Sequence, residues 1–289
     1  ALKIAALLLE NGLPTKLIQS NEGFSLNCLL EVRYFLDYVT KADNAPVIDE
    51  NLFEEAKRSL RSKFRNSTKL ELCERLINDF ESTNSFAIYK SDLEIFIRES
   101  KIEDFWSPNG KTIFVSTIHK AKGKEFDNVF VLLENGLVNS DEEKRKIYVG
   151  ITRAKNNLYV HTDSPVFDSV SAENLVREYD KNIHLPPDEI IIHPTHRDVY
   201  LDYFLSRQEA ISRLISGDSL TVRGKECLDK TGFPVLRFSN AFSEKIQEMV
   251  RKGYKPKSAK VNYIVYWKRE GADEEIKIIL PELAFERAG

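Results

Sequence analysis

The stretch Thr112-Ile-Phe-Val-Ser-Thr-Ile-His-Lys-Ala-Lys-Gly-Lys-Glu-Phe-Asp127 runs from an apolar segment into a loop that carries Lys120, Lys122, Lys124, a histidine and Gly123. Such a loop suits phosphate: glycine admits close backbone approach, the lysines supply charge, and Glu125 offers an acceptor to a ribose hydroxyl. A solvated basic loop has the same composition, so the segment alone leaves both readings open. A second stretch, Asp141-Glu-Glu-Lys-Arg-Lys-Ile-Tyr-Val-Gly-Ile-Thr-Arg-Ala-Lys155, reads as a helix that presents Arg153 at its far end. An arginine there can stabilise charge on a transferring phosphoryl group, an effect worth about 10³–10⁵ in rate where it operates. Taken alone, such an arginine is more often a surface residue or a salt-bridge partner.

Between Arg251 and Arg269 there are seven Lys/Arg and no acid, interleaved with Tyr254, Tyr263, Tyr266 and Trp267. Cations mixed with aromatic rings suit a nucleic-acid groove, with Lys255, Lys257, Lys260 and Tyr266 as its candidates. The alternation of Val261, Tyr263, Val265 and Trp267 also fits one buried strand face. Two segments only imitate known motifs. Gly110-Lys111-Thr112 lacks the earlier glycine of a phosphate-binding loop, Phe105 standing in its place, and Asp49-Glu50 follows only two apolar residues. His193-Pro-Thr-His196 with Asp198 reads as loop rather than metal ligation, and no metal site is expected.

These residues need a scaffold. Short β-rich runs at Thr112–Ser116, Asn128–Leu132 and Leu158–Thr162, with a helix over Asp141–Val149, predict an α/β arrangement with a parallel sheet. The continuous run Val129–Leu133 predicts a strand buried on both faces. Ahead of it, residues 1–10 read as the middle of an amphipathic helix, which suggests a piece of a longer polypeptide; Lys16–Ile18 reads as a strand. Leu26–Val39 reads as a helix capped by Ser25. Thr68…Glu71 and Ser91…Glu94 look like capping boxes, so residues 40–105 read as almost wholly helical. Downstream, a helix over Asp198–Ile215 and strands at Leu220–Arg223, Pro234–Phe238, Lys260–Trp267 and Glu275–Leu280, with a helix at Ser243–Lys252, predict a small α+β domain with a barrel-like β part.

Taken together, the two chemical segments resemble the UvrD/PcrA/Rep helicases of superfamily 1. Motif V of that family reads roughly T-h-H-x-A-K-G-L-E-F, matched by Thr117, His119, Ala121, Lys122, Gly123, Glu125 and Phe126, with Lys124 in place of Leu. Motif VI is matched by Glu142, Glu143, Arg145, Tyr148, Val149, Thr152, Arg153 and Ala154, while Lys144 and Lys146 depart from it. Gly12-Leu-Pro14, Glu22-Gly-Phe24 and Glu31–Leu36 resemble the stretch that follows motif IV. The resemblance, which covers roughly residues 1–40 and 110–163, implies a RecA-like (P-loop NTPase-like) motor domain over residues 1–165 with a helical insertion at 40–107; the element pattern beyond it reads as a connector at 166–197 and a C-terminal domain at 198–289. The resemblance further implies that Gly123, Glu125 and Arg153 meet ATP with Mg²⁺, Arg153 acting catalytically, and that Thr117, His119, Lys120 and Lys122 face single-stranded DNA. The rest of the ATP site would come from an upstream motor domain of the same parent chain, and duplex junctions would be a further substrate.

Composition sets the outer bounds. The 289 residues are 42% hydrophobic and 30% charged with a net charge of −3, the balance of a folded chain long enough for two cores. No apolar run approaches the roughly 20 residues of a membrane span, and no secretory signal is evident, so a cytoplasmic protein is expected. Cys28, Cys73 and Cys227 are too few and too scattered for a disulfide framework. A different class stays open: a non-catalytic module that docks nucleic acid or a protein partner through the C-terminal domain. A motor half that serves a nuclease elsewhere on the parent chain is a third possibility.

Overall fold

The computed structural model describes residues 4, 8, 15–18, 24–41, 45–84, 87–100, 113–133, 140–181 and 186–288. Along the chain the helices are α1 (Leu30–Lys41), α2 (Glu50–Lys63), α3 (Leu70–Thr83), α4 (Lys90–Glu99), α5 (Asp141–Ile151), α6 (Gln208–Ile211) and α7 (Asn240–Arg251). The strands are β1 (Thr15–Ile18), β2 (Val47–Ile48), β3 (Ile88–Tyr89), β4 (Ile113–Ser116), β5 (Phe126–Leu133), β6 (Ala154–Thr162), β7 (Glu189–Ile192), β8 (Ser219–Arg223), β9 (Glu226–Leu228), β10 (Pro234–Arg237), β11 (Tyr254–Lys268) and β12 (Glu275–Arg287). The molecule is mixed α/β, with parallel pairs in one part and an antiparallel sheet in another. Two compact units emerge, one from residues 3–20 and 113–186, the other from 21–112 and 187–289.

In the first unit β1 pairs in parallel with β4, Thr15 opposite Ile113, although 94 residues separate the strands' facing ends. Parallel pairing needs a crossover: for β1 and β4 it is the long intervening stretch, and for the separate parallel pair β5–β6 it contains α5, giving a β-α-β unit. The expectation that β5 is buried on both faces is corrected. Val131 is buried, while Phe130 (61%) and Leu132 (45%) stay exposed, and Phe130 stacks on Tyr159 across the pair at 4.5 Å. Side chains alternate along a strand, so only one face of this pair meets a packing layer. Helix α5 starts on a capping box that sequence reading missed: Ser140 accepts from the Glu143 amide and Glu143 reaches back to the Ser140 amide. The helix expected at residues 1–10 lies outside the described residues except for Ile4 and Leu8.

In the second unit, helices α1–α4 and the C-terminal strands share one core, in which Leu29, Phe35, Phe53, Phe80, Val265 and Phe285 are all buried. The apolar stripe foreseen along 26–39 does face this core. Its start differs: a 3₁₀ turn at Leu26–Cys28 precedes α1, and the Ser25 hydroxyl makes no cap. Both capping boxes foreseen at Thr68 and Ser91 are also absent. The Thr68 amide instead donates to Ser216 O at 2.9 Å, and the neighbouring Ser67 hydroxyl donates to buried Glu31 at 2.5 Å. Tertiary partners have displaced the local ones. Asp49, which imitates a magnesium ligand in sequence, caps α2 by accepting from the amides of Asn51 and Leu52. The small pair β2–β3 breaks the helical run that was expected over 40–105.

The C-terminal sheet has the order β10-β9-β8-β11-β12-β7. Among the described residues no pairing joins β10 to β7, so the barrel-like expectation resolves into an open six-stranded sheet. β7 lies within the stretch read as a connector, and β9 was not foreseen. The long helix expected over 198–215 is replaced by a 3₁₀ stretch at Leu201–Ser206 and the single turn of α6. Its first residues are committed elsewhere, since Val199 bridges to Phe238 and the Tyr200 amide donates to Arg237 O. No helix among the described residues is long and apolar enough to cross a membrane.

Candidate functional site

The loop after β4 begins at Thr117, tightens into a 3₁₀ turn over Ile118–Ala121, and reaches β5 through Gly123. Gly123 has φ +82°, a left-handed conformation that side chains disfavour, and open space surrounds its α-carbon. Thr117, His119, Lys122 and Glu125 are exposed along the loop, and Lys120 belongs to the same turn. The opposite wall is α5. Gly150 on that helix lies against Ile118, so near that a β-carbon there would stand 3.4 Å from the isoleucine methyl.

Arg153 follows the end of α5 and closes the site. Its Nε donates to Val149 O at 2.9 Å, Nη1 to Lys124 O at 3.3 Å and Nη2 to Thr152 Oγ1 at 3.0 Å. Its own carbonyl accepts from the Phe126 amide at 2.9 Å. The two segments that sequence reading singled out are thus stitched together by one residue. Every side-chain acceptor is neutral, and among the described residues no carboxylate pairs with this guanidinium. Lys155 and Glu125 stand 3.9 Å apart beside it. The departure at Lys146 is accommodated by an i,i+4 pair with Glu142 at 2.6 Å, and this partner holds the Glu142 carboxyl below its ordinary range. Sequence reading missed Lys124 as an anchor for Arg153. Its contribution is a carbonyl, which any residue type supplies.

The C-terminal candidates have a different setting. Lys255 pairs with Glu286 at 3.1 Å, Lys257 with Glu189 at 3.1 Å and Lys260 with Glu282 at 2.7 Å, so acids on β12 and β7 of the same sheet neutralise all three. Tyr266 is half-buried beneath the Arg33 guanidinium, 5.2 Å from its ring centroid; burial first, and then the Asp37 charge, raises its pKa. Val261 and Val265 belong to the core. His193 is largely buried, and its Nδ1 lies 3.0 Å from the Asn262 amide nitrogen. Burial lowers its pKa against the opposing pull of Glu282.

Comparison with known proteins places these motifs in context. The model of the UvrD-like helicase C-terminal domain family matches residues 4–164. A probable DNA helicase II homolog of Rickettsia conorii is 32% identical over 146 residues, covering 45% of this chain and 21% of that protein. The RecBCD enzyme subunit RecD of Haemophilus influenzae is 23% identical over 175 residues, 55% of this chain and 27% of the relative. The mitochondrial ATP-dependent DNA helicase HMI1 of Saccharomyces cerevisiae is 39% identical over 77 residues, 24% of this chain and 11% of the relative. The chain spans about a fifth of the length of the DNA helicase II relatives it matches. With the family match extending over more than half of its residues, and with both motifs meeting at Arg153, the chain belongs to the UvrD-like helicase C-terminal domain family.

Proposed function

We propose that the chain supplies the second, RecA-like half of an ATP-dependent DNA helicase motor, with residues 1–165 as the motor segment. In this reading Arg153 is the catalytic residue that meets the γ-phosphate of ATP bound mainly by an upstream domain, which would also hold Mg²⁺. Gly123 and Glu125 bind the nucleotide, the glycine through close backbone approach and the carboxylate at the ribose. Thr117, His119, Lys120 and Lys122 contact single-stranded DNA on the exposed loop, and duplex junctions are unwound as the motor advances.

The observation that supports this reading is the set of partners around Arg153. Among the described residues its guanidinium is held by neutral oxygens, so its charge is left to offer. Exchanging a carbonyl acceptor for a phosphoryl oxygen sets the guanidinium against an anion, adding to the hydrogen bond an ionic attraction that a neutral carbonyl does not offer. Because one of those carbonyls is Lys124 O, the exchange also loosens the link between α5 and the DNA-facing loop. ATP contributes the bond whose hydrolysis drives the cycle; Arg153 orients and stabilises, and the loop grips.

The test is DNA-stimulated ATP hydrolysis by the full-length protein with Arg153→Ala and Arg153→Lys. A fall of about 10³-fold or more in turnover with DNA affinity retained is expected. Unchanged turnover in Arg153→Ala would remove the arginine from the reaction.

A further inference from the structure

A second surface lies in the C-terminal sheet, outside the residues that the helicase family match covers. There, four side chains alternate ring and guanidinium. The Arg207 guanidinium lies 5.2 Å from the Phe233 ring centroid and 4.8 Å from that of Tyr203, and the Arg237 guanidinium lies 4.9 Å from the same Tyr203 ring. Glu226 secures one end, accepting from Arg237 Nη2 at 2.7 Å and from the Tyr203 hydroxyl at 3.1 Å. The Tyr200 amide bonds to Arg237 O and adds a further aromatic residue at this end.

This strip is exposed where a folded domain would ordinarily cover apolar groups: Leu205 is 56% exposed, Tyr200 50% and Phe233 44%. Arg207 differs from the cations around it. Its Nη1 donates only to the carbonyl and hydroxyl of Ser206, at 3.3 and 3.2 Å, and its buried Nε has no acceptor among the described residues. The nearby acids are occupied. Glu226 serves Arg237 and Tyr203, Glu209 pairs with Arg213, and Asp229 accepts from the amides of Thr231 and Phe233. A guanidinium clamped between rings is oriented before any ligand arrives, which lowers the entropic cost of engaging a planar oxyanion.

We propose that the Tyr200–Arg207–Phe233 strip docks a segment of a partner protein that presents an aspartate or glutamate carboxylate to Arg207, flanked by apolar side chains that cover Leu205 and Phe233. Tyrosine and arginine are enriched in protein–protein hot spots and phenylalanine in interfaces generally, and a charge walled by rings matches that anatomy. A nucleic-acid backbone would need several unneutralised cations at phosphate spacing. In this strip Arg237 is already paired, and Arg207 alone carries an uncompensated charge. The inference does not rest on the motor reading.

The test starts with selection of a phage-displayed random dodecapeptide library on the full chain. The strongest selected peptide is then synthesised with and without its Asp/Glu changed to Asn/Gln. Enrichment of acidic residues beside aromatic or aliphatic ones is expected. Binding measured by fluorescence anisotropy should fall at least 10-fold on neutralising the peptide's acid, in Arg207→Lys, and in the surface variant Phe233→Ala, with the thermal midpoints of both variants unchanged. Selection without acidic enrichment, or equal affinity for Arg207→Lys, overturns the proposal. Competition by a single-stranded oligothymidine 15-mer that is lost in the same two variants would overturn it in favour of a nucleic-acid surface.

Discussion

Lys69 shows how a single half-buried cation governs a junction. Its ammonium donates to Asn262 Oδ1 at 2.9 Å and lies 4.1 Å from the Tyr263 ring centroid, while Asn262 in turn contacts His193. Burial pulls the Lys69 pKa down to about 8, against the opposing pull of Glu282 and Glu31. The unfolded chain therefore holds more protons than the folded one between about 8 and 10.5, and this residue makes stability rise with pH across that window. Lys69→Met lacks the titration. In urea denaturation at pH 8 and pH 10, native minus variant stability should shift in favour of the native protein at the higher pH; a constant difference would mean that solvent screens the ammonium. Gly123 is governed by backbone geometry instead. At φ +82°, Gly123→Ala incurs about 1–2 kcal/mol of strain, and the expected readout is weaker DNA stimulation of ATP hydrolysis with the melting of the C-terminal unit unchanged. Residue types and spacing made Gly123 and Arg153 legible. The carbonyls that hold Arg153 and the acids that neutralise Lys255, Lys257 and Lys260 were not legible, because both depend on pairings remote in sequence.

At the scale of elements, α5 links the two motifs and depends on its ends. The capping box at Ser140 satisfies amides that would otherwise lack partners, so Ser140→Ala should cost about 1 kcal/mol, read as a lower denaturation midpoint of the first unit, and Ser140→Asp should restore it. At the other end Gly150 sets the spacing to Ile118. Gly150→Ala places its methyl at ordinary contact distance and should be tolerated, whereas Gly150→Val forces Ile118 aside and should lower DNA affinity through the 118–121 turn. Equal DNA affinity in the two variants would uncouple helix from loop. Periodicity located β4, β5, β6 and α5, since each depends on its own residues. It failed where local and tertiary partners competed: the Thr68 amide bonds to Ser216, so the foreseen cap is lost although α3 forms, and the backbone of residues 199–200 bonds to the β10 region, so the helix foreseen there does not form.

At the scale of the whole molecule, the helices and the C-terminal sheet share a core although the first unit's strands interrupt them in sequence. Leu29 bridges to Val265, Arg33 pairs with Glu275 at 3.2 Å, and the Phe24 ring lies 5.4 Å from that of Tyr263. A chain ending at residue 186 loses every one of these partners. Its helical segment should melt non-cooperatively and be cleaved first in limited proteolysis, while the intact chain protects it; equal protection in both would show that α1–α4 suffice alone.

That division of one core between distant stretches has a consequence for synthesis. A ribosome completes α4 long before it reaches β11 and β12, and at roughly 5–20 residues per second the interval is on the order of ten seconds or more. Throughout that wait Leu29 and Phe24 face the nascent chain's surroundings without their sheet. The unit closes only once β12 has cleared the exit tunnel, so strands made late decide when helices made early are safe from aggregation.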